Sequence, residues 1–281
     1  MNYRHAFHAG NFADVFKHIV FSRILIHLAR KDTAFRVIDT HAGAGLYDLE
    51  GEEAARTGEW IDGVGRLLER PLAAAAAALA EPWLAIVHEL AGHVPRLYPG
   101  SPYLAQRLTR PQDRLTFGEA RAADAGLLRE TLGRDRRALV AAGDGWSLIK
   151  AQLPPPERRG VVLMDPPFEQ EREFGAILDA LEAGLRRWAT GIYAVWYPIK
   201  GRREVDAFAR RLAALPAGKV LRAEIGLYKV ERIDRLNGCG MAIVNPPWHL
   251  DEDLRLLAPA LAGHLAREGQ GQSRVEWLRG E

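Results

Sequence analysis

The first clear pattern is a long apolar stretch near the start of the chain. Residues 12–29 are almost entirely apolar, and the six polar or charged exceptions are scattered through the stretch. A helix that is apolar all round is a buried helix, so we predict a largely buried helix here. Asn11 directly precedes it and is a suitable N-cap, because its side-chain oxygen can accept backbone N–H groups of the first turn.

Short apolar runs alternate with helical patterns along the rest of the chain. The predicted strands are 35–39, 114–119, 137–145, 161–165, 191–198, 219–230 and 240–244, with a further edge strand near 275–277. Between the fourth and fifth strands, apolar residues at helical spacing from Phe174 to Trp188 predict a helix. This alternation predicts an α/β protein with a doubly wound sheet.

Residues 50–98 interrupt the alternation with a helical composition and a run of alanines at 73–78. In a simple nucleotide-binding unit, the acidic residue that ends the second strand lies ~20 residues after the glycine turn. Here that residue, Glu119, lies far beyond this spacing from Gly45. We therefore predict a main domain formed by 1–49 and 99–281, with 50–98 as an inserted helical subdomain.

The sequence Asp165-Pro166-Pro167-Phe168 directly follows the apolar run 161–164. The two prolines lack N–H groups, so carbonyls, one carboxylate and an aromatic ring remain at the end of the strand. This set suits a planar ring that carries an amino group. Asp165 and the Pro166 carbonyl would accept its two N–H groups, and Phe168 would stack on its face. The same sequence also occurs as an ordinary turn, so the interpretation requires a methyl-donor site elsewhere.

The glycine turn Gly43-Ala44-Gly45 follows the first strand and helps to choose the cofactor. It lacks the third glycine of the dinucleotide motif, and no Gly-Lys-Ser/Thr follows it, which argues against NAD, FAD and a P-loop. The order of the strand-end motifs favours S-adenosyl-L-methionine. The ribose would bind Glu119, the adenine edge would meet Asp144 and Gly145, and the methyl group would face Asp165.

Composition limits the partners and the location only loosely. Lys and Arg number 38 against 36 for Asp and Glu, which does not by itself indicate a nucleic-acid binder. Among the arginine clusters, 158–159 and 202–203 lie near candidate active-site strands and are expected to contact phosphate. No apolar run approaches membrane-spanning length and no signal peptide opens the chain, so we expect a cytoplasmic protein without membrane contact.

Metal sites are not expected. A single cysteine, Cys239, excludes an internal disulfide and a cysteine-based zinc site, and a small buried side chain is its simplest role. His5 and His8 are close in sequence, but neither an acidic residue nor a cysteine supports a metal there.

Six motifs together closely resemble one family. They are Tyr3-Arg4-His5-x-Phe7-His8-Ala9-Gly10-Asn11, Asp39–Gly45, Tyr98–Pro102, Asp165–Phe168, Trp196–Pro198 and Asn245–Trp248. As a set, and over essentially the whole chain, they are similar to the bacterial 23S ribosomal RNA (rRNA) adenine-N6 methyltransferase J family. The resemblance implies a class I S-adenosyl-L-methionine-dependent methyltransferase with a Rossmann-like fold and a helical insertion. It also implies that the protein acts alone, as a monomer, on protein-free 23S rRNA.

The resemblance also assigns roles to individual residues. It implies that Asp165 is catalytic and that Tyr3, Pro166 and Phe168 meet the target adenine. The implied cofactor contacts are His18, His41, Ser101, Glu119, Asp144 and Gly145. Phe168 stands where tyrosine is common in this motif, which preserves stacking and removes a phenol hydrogen bond.

Several alternatives stay open at this point. A DNA adenine-N6 methyltransferase would use the same motifs, but no DNA-reading domain is evident. A protein glutamine methyltransferase would also use an Asp-Pro-Pro-aromatic motif, and an inactive RNA-binding module would keep the fold alone. Asn245 begins a rival motif, which we interpret as a structural strand end. A buried histidine such as His18 is ordinarily a core residue.

Overall fold

The computed structural model describes residues 4–92, 97–170, 172–228, 232, 234–267, 269 and 271–280. The helices are α1 (Phe12–Ala29), α2 (Glu52–Thr57), α3 (Arg66–Glu69), α4 (Ala74–Ala91), α5 (Ser101–Leu108), α6 (Ala122–Leu132), α7 (Gly145–Gln152), α8 (Glu173–Arg187), α9 (Arg202–Ala213) and α10 (Leu250–Leu265). The strands are β1 (Arg36–Asp39), β2 (Leu46–Asp48), β3 (Leu97–Pro99), β4 (Arg114–Glu119), β5 (Ala138–Ala142), β6 (Gly160–Met164), β7 (Ile192–Ile199), β8 (Val220–Gly226), β9 (Gly238–Val244) and β10 (Gln272–Arg279).

Eight strands form one sheet in the order β10-β8-β9-β7-β6-β1-β4-β5. The five strands from β7 to β5 in this order are parallel, so they all end at the same edge of the sheet, called here the carboxyl edge. Strand β9 runs antiparallel between β7 and β8. The predicted α/β class and doubly wound sheet are confirmed, and the predicted edge strand near 275–277 lies within β10.

Helices cover both faces of the sheet because its central strands are apolar on both sides. Every residue of β6 is buried, as the unbroken apolar run predicted. One hydrophobic core contains α1, α4, α5, α6 and α10, and the other contains α7, α8 and α9. The predicted helix at 12–29 and its Asn11 cap are confirmed, since the Asn11 side chain accepts from the N–H groups of Ala13 and Asp14.

The segment that the sequence marked as an insertion contains α2, α3, α4 and a π-helical turn, Ile61–Gly65. Strands β2 and β3 pair with each other at its two ends and form a separate two-stranded ribbon. The sequence analysis identified neither strand, because each is only three residues long. Val64 and Trp83 of this segment are buried in the same core as α1, so the segment packs against the helices that cover one face of the main sheet.

Helix α4 differs from the expectation that no apolar stretch approaches membrane-spanning length. It is the single helix of the described residues that is long and apolar enough to cross a membrane, by length and composition alone. Ala80, Trp83 and Ile86 of this helix are buried in the core. Core helices of globular proteins pass the same test, so this observation is weak evidence for a membrane span.

Arg158 and Arg159, which the sequence analysis expected to contact phosphate, lie away from the edge of the sheet that carries Asp165. Both residues precede β6, at the edge of the sheet opposite to the end that carries Asp165. Arg159 donates to the carbonyls of Leu28 and Thr33, and its guanidinium lies 5.8 Å from the Phe35 ring. Arg159 therefore stabilises the start of the sheet.

Candidate active site

A buried charge pair joins α1 to the end of β6. Lys17 of α1 forms an ion pair with Asp165, and its Nζ also lies 2.8 Å from Asp14 Oδ1. The Lys17 and Asp14 side chains are each 4% exposed, whereas that of Asp165 is 15% exposed. Burial opposes the charge on Lys17, but the two carboxylates outweigh it and hold the Lys17 pKa well above its usual value. Lys17 is therefore a permanent ammonium group beside Asp165.

Asp14 extends this pair towards the start of the chain. Its Oδ2 lies 2.9 Å from His5 Nε2 and accepts the Gly10 N–H at 3.1 Å. Burial alone would raise the Asp14 pKa, but the charges of His5 and Lys17 hold it well below its usual value. Asp14 is thus ionised and carries part of the neutralising charge for Lys17.

The glycine turn after β1 forms one wall of a first cavity at the carboxyl edge. Gly43 has a φ of 65° and donates its N–H to Glu119 Oε2 at 2.8 Å. The other Glu119 oxygen accepts the Arg121 N–H at 2.8 Å. These two bonds fix the carboxylate at the end of β4, where it lines the cavity. The space between the walls and the mouth of this cavity is about 620 Å³.

Ser101 enters the same cavity from the start of α5. Its hydroxyl donates to Asp39 Oδ2 at 2.6 Å, and the His41 N–H approaches Asp39 Oδ1 at 3.2 Å. Burial raises the pKa of Asp39 to about 6, and the hydrogen bond from Ser101 opposes that shift. Asp39 therefore ties the end of β1 to α5 below the cavity.

Two neutral histidines complete the lining. His18 is buried, and its Nδ1 lies 2.9 Å from the Tyr98 hydroxyl. Burial lowers the His18 pKa well below its usual value and lowers that of His41 to about 4. Both side chains are therefore uncharged near neutral pH and add no repulsion against a cationic ligand.

A second, larger cavity lies next to the first and is open to solvent, with about 1390 Å³ of space between its walls and its mouth. Pro166 and Phe168 line it, together with Trp196 from β7. The Phe168 ring packs edge-on against Trp196, with centroids 5.8 Å apart, and Phe168 has a φ of 51°. Four residues line both cavities: His5, Lys17, Asp165 and Pro167. The Lys17–Asp165 pair thus lies where the two cavities meet.

Comparison with known proteins identifies the family. A family model described as "Ribosomal RNA large subunit methyltransferase D, RlmJ" matches residues 32–279. The proteins named ribosomal RNA large subunit methyltransferase J of Escherichia coli K12 and of Haemophilus influenzae Rd are 39% and 37% identical to the chain, and each alignment covers 99% or more of both sequences.

The chain belongs to the RlmJ family.

The solved structure of protein LPL1258 from Legionella pneumophila superposes with a TM-score of 0.87 at 31% identity, and the alignment covers 96% of this chain and 98% of that protein. The resemblance inferred from the motifs is therefore confirmed at the level of the RlmJ family.

Four of the six expected cofactor residues line the first cavity: His18, His41, Ser101 and Glu119. Asp144 and Gly145 do not line it. Asp144 is exposed and caps α7 by accepting from the N–H groups of Trp146 and Ser147. Trp146 packs edge-on against His41, with centroids 4.8 Å apart, so this segment lies directly behind the cavity lining.

Three site residues of this RlmJ family member were not identified from its sequence: His5, Asp14 and Lys17. Their signal was present as charged residues at positions 14 and 17, one helical turn apart in an otherwise apolar helix. Such residues are rarely buried unless they are paired, but the second partner of Lys17, Asp165, lies 148 residues away. Tyr3, expected at the target base, lies outside the described residues. Among the described residues, no cluster of three or more metal-ligating side chains occurs.

Proposed function

We propose that this protein transfers a methyl group from S-adenosyl-L-methionine to N6 of one adenine in protein-free 23S rRNA. One observation carries the proposal: the Lys17–Asp165 pair lines both cavities. A donor in the first cavity and an adenine in the second would meet at Asp165. We further propose that the protein works in the cytoplasm as a monomer.

The residues of the first cavity suit S-adenosyl-L-methionine. The cofactor supplies an electrophilic methyl group on a sulfonium centre. Glu119 is held by two backbone N–H groups and is placed to accept from the ribose hydroxyls. Ser101 and the glycine turn suit the methionine end, and neutral His18 and His41 tolerate the positive sulfur. We keep Asp144 and Gly145 as proposed contacts to the adenine edge, reached past His41.

The residues of the second cavity suit an adenine that has left its stack. Phe168 would stack on the base, as would Tyr3. The Asp165 carboxylate and the Pro166 carbonyl would accept the two hydrogens of the amino group. Both contacts direct the nitrogen lone pair towards the first cavity. Catalysis then rests on positioning and on stabilising the positive charge that develops on N6.

The ion pair with Lys17 determines the role of Asp165 in the proposed reaction. Because Lys17 remains charged, Asp165 is an acceptor with its orientation fixed by an ion pair. Directly after methyl transfer, N6 is positively charged and carries one proton more than it does in the N6-methyladenosine product. We assign the release of that proton to water in the second cavity, since a protonated Asp165 would lose its attraction to Lys17.

The test measures transfer of labelled methyl from S-adenosyl-L-methionine to protein-free 23S rRNA, duplex DNA and assembled large subunits, followed by nucleoside digestion. N6-methyladenosine from free 23S rRNA alone is the expected result. Label in DNA would favour a DNA adenine-N6 methyltransferase instead. Label in ribosomal protein would favour a protein glutamine methyltransferase, and cofactor binding without any transfer would indicate an inactive RNA-binding module.

A further inference from the structure

The second cavity has a cationic side that the proposed chemistry does not use. Lys200 directly follows β7, the strand next to β6, so it stands at the carboxyl edge, and it lines the second cavity together with Asp165. Tyr228 and Arg235 lie in the connection between β8 and β9 and line the same cavity. These three residues, Lys200, Tyr228 and Arg235, are called here the basic wall. Of the acidic residues that line this cavity, Asp14 and Glu59 lie on the α1 side, where each contacts a histidine, and Asp165 and Glu169 follow β6.

Arg235 is held in place before any ligand binds. Its guanidinium carbon lies 3.4 Å from the centroid of the Tyr228 ring, which is a close stacked contact. Its Nε donates to Asn237 Oδ1 at 3.0 Å. A side chain fixed by a stack and a hydrogen bond loses little conformational entropy when it binds an anion.

Asn237 is the buried centre that joins the parts of the basic wall. It is 3% exposed, and its side-chain nitrogen donates to the Lys200 carbonyl at 2.9 Å and to the Arg232 carbonyl at 2.7 Å. Its side-chain oxygen accepts from the Arg232 N–H as well as from Arg235. One amide therefore sets both the end of β7 and the direction of Arg235.

Lys200 differs from the other lysine and from Arg267 in this cavity. Lys17 is engaged by two carboxylates, and Arg267 forms an ion pair with Asp62. Lys200 is exposed, and its ammonium group has no ion-pair partner within the part of the chain that the structure describes. An uncompensated lysine beside a preorganised arginine is suited to the phosphates of a nucleic-acid backbone.

We propose that the basic wall binds the phosphodiester backbone of the RNA strand on one side of the target adenine. Lys200 and Arg235 each contact a phosphate, and Asn237 is a positioning residue for both. The inference rests on the proposed function, because an adenine drawn to Asp165 brings its neighbouring phosphates into the second cavity. Two phosphate contacts on a single strand would contribute about 1.4 to the slope of log affinity against log salt.

The test compares Lys200→Ala, Arg235→Ala and the double variant with the wild-type protein. Kinetics use a protein-free 23S rRNA transcript, and binding uses a short single-stranded adenine-containing RNA with S-adenosylhomocysteine present. The double variant is expected to raise KM for RNA by about tenfold or more with kcat kept within about twofold, and to reduce the salt slope by about 1.4. Arg186→Ala is the matched control, because α8 starts at the carboxyl edge and ends, with exposed Arg186, at the opposite edge.

Asn237→Ser tests the positioning role. We expect it to raise KM as Arg235→Ala does and to add little when the two changes are combined, because both act through one contact. Additive effects, or a fall in kcat at unchanged KM, would overturn the positioning role. If Asn237→Ser does not fold, Arg235→Lys serves instead. It keeps the charge but loses the planar stack, and we expect an intermediate KM.

Each result separates this inference from the proposed function. An unchanged salt slope and KM in the double variant would overturn the basic wall while the wild-type protein still methylates 23S rRNA. A wild-type protein that does not methylate 23S rRNA would overturn the proposed function. In that case a reduced salt slope in the binding assay would still support phosphate binding at the basic wall.

Discussion

At the scale of single residues, the active site depends on Lys17 neutralising two buried carboxylates. Removing one partner of a buried ion pair leaves an uncompensated charge and costs more than removing the whole group. Here the removal of Lys17 would leave Asp14 and Asp165 facing each other with no cation between them. The same residue therefore serves both folding and the orientation of Asp165.

Lys17→Met is expected to lower the free energy of unfolding by about 3–5 kcal/mol and to abolish methylation. The double change Asp14→Asn with Lys17→Met should recover part of the stability, because it removes one of the two buried carboxylate charges that Lys17→Met leaves uncompensated. Urea unfolding of the two variants and the wild-type protein measures both effects. A double variant no more stable than the single one would mean that the loss comes from packing and not from charge.

Asp39 predicts a pH dependence of stability. Burial raises its pKa in the folded protein to about 6, above its ordinary value of 3.8. Between these values the folded state binds more protons than the unfolded state, so the free energy of unfolding falls as pH rises. Asp39→Asn lacks this titration. Its stability relative to the wild-type protein should therefore rise from about pH 4 to pH 6, on the order of 2 kcal/mol in total.

Thermal unfolding of the wild-type protein and Asp39→Asn across this pH range is the measurement. The difference between the two proteins cancels the titration of all the other groups they share. A difference that stays constant with pH would show that Asp39 does not titrate in this window.

At the scale of elements, the start of α7 depends on a glycine for a steric reason. A Cβ atom on Gly145 would lie 1.9 Å from the Thr40 carbonyl oxygen, at the end of β1 beside His41. No side chain can move to relieve that contact, because the oxygen belongs to the backbone. Gly145 thus affects the shape of the first cavity by allowing α7 to pack closely against the end of β1. This effect does not depend on a direct contact between Gly145 and the cofactor.

Gly145→Ala is expected to destabilise the protein by about 1–3 kcal/mol and to weaken cofactor binding, since the backbone next to His41 must shift. Gly126→Ala in α6 is the control, because no atom lies within 4 Å of the added Cβ. That change should stabilise the protein by about 0.5–1 kcal/mol through helix propensity. Urea unfolding and calorimetric titration with S-adenosylhomocysteine measure the two effects. Normal stability and affinity in Gly145→Ala would contradict the packing argument.

At the scale of the whole molecule, sheet topology decides between two similar motifs. Asp165 and Asn245 each follow a buried strand and precede two prolines and an aromatic residue. Strand β9 is antiparallel to β7, so Asn245 lies at the edge opposite to the cavities. Its side chain donates to the carbonyls of Ala189 and Gly191, both at 2.8 Å. Asn245 therefore closes the far edge of the sheet, as the sequence interpretation expected.

Asn245→Ala and Asp165→Ala should consequently separate stability from activity. We expect Asn245→Ala to lose about 1–3 kcal/mol of stability, because two carbonyls lose their donors, with methylation per folded molecule unchanged. Asp165→Ala should abolish methylation and leave cofactor binding nearly intact. Methyl transfer at saturating substrate, normalised to the folded fraction, distinguishes the two. Loss of cofactor binding in Asp165→Ala would assign that residue a structural role.

The sequence by itself determined the strands of the main sheet and the longer helices α1 and α8, because these depend on local apolar periodicity. Helix α1, strand β4 and the buried strand β6 could all be predicted in this way. The strand-end motifs also follow from sequence, since parallel strands carry their ends to one edge. Of the four expected cofactor residues that line the first cavity, the order of the strand-end motifs predicted Glu119, and the family resemblance implied His18, His41 and Ser101.

Only the tertiary structure decided which buried charges meet. Lys17 and Asp165 are 148 residues apart, and no local pattern relates them. Three further features could not be read from local sequence patterns. They are the antiparallel direction of β9, the use of the Asp144 side chain as a helix cap, and the Asn237 contacts beneath the basic wall. Each depends on which elements pack together, and packing is set by the hydrophobic cores of the whole chain.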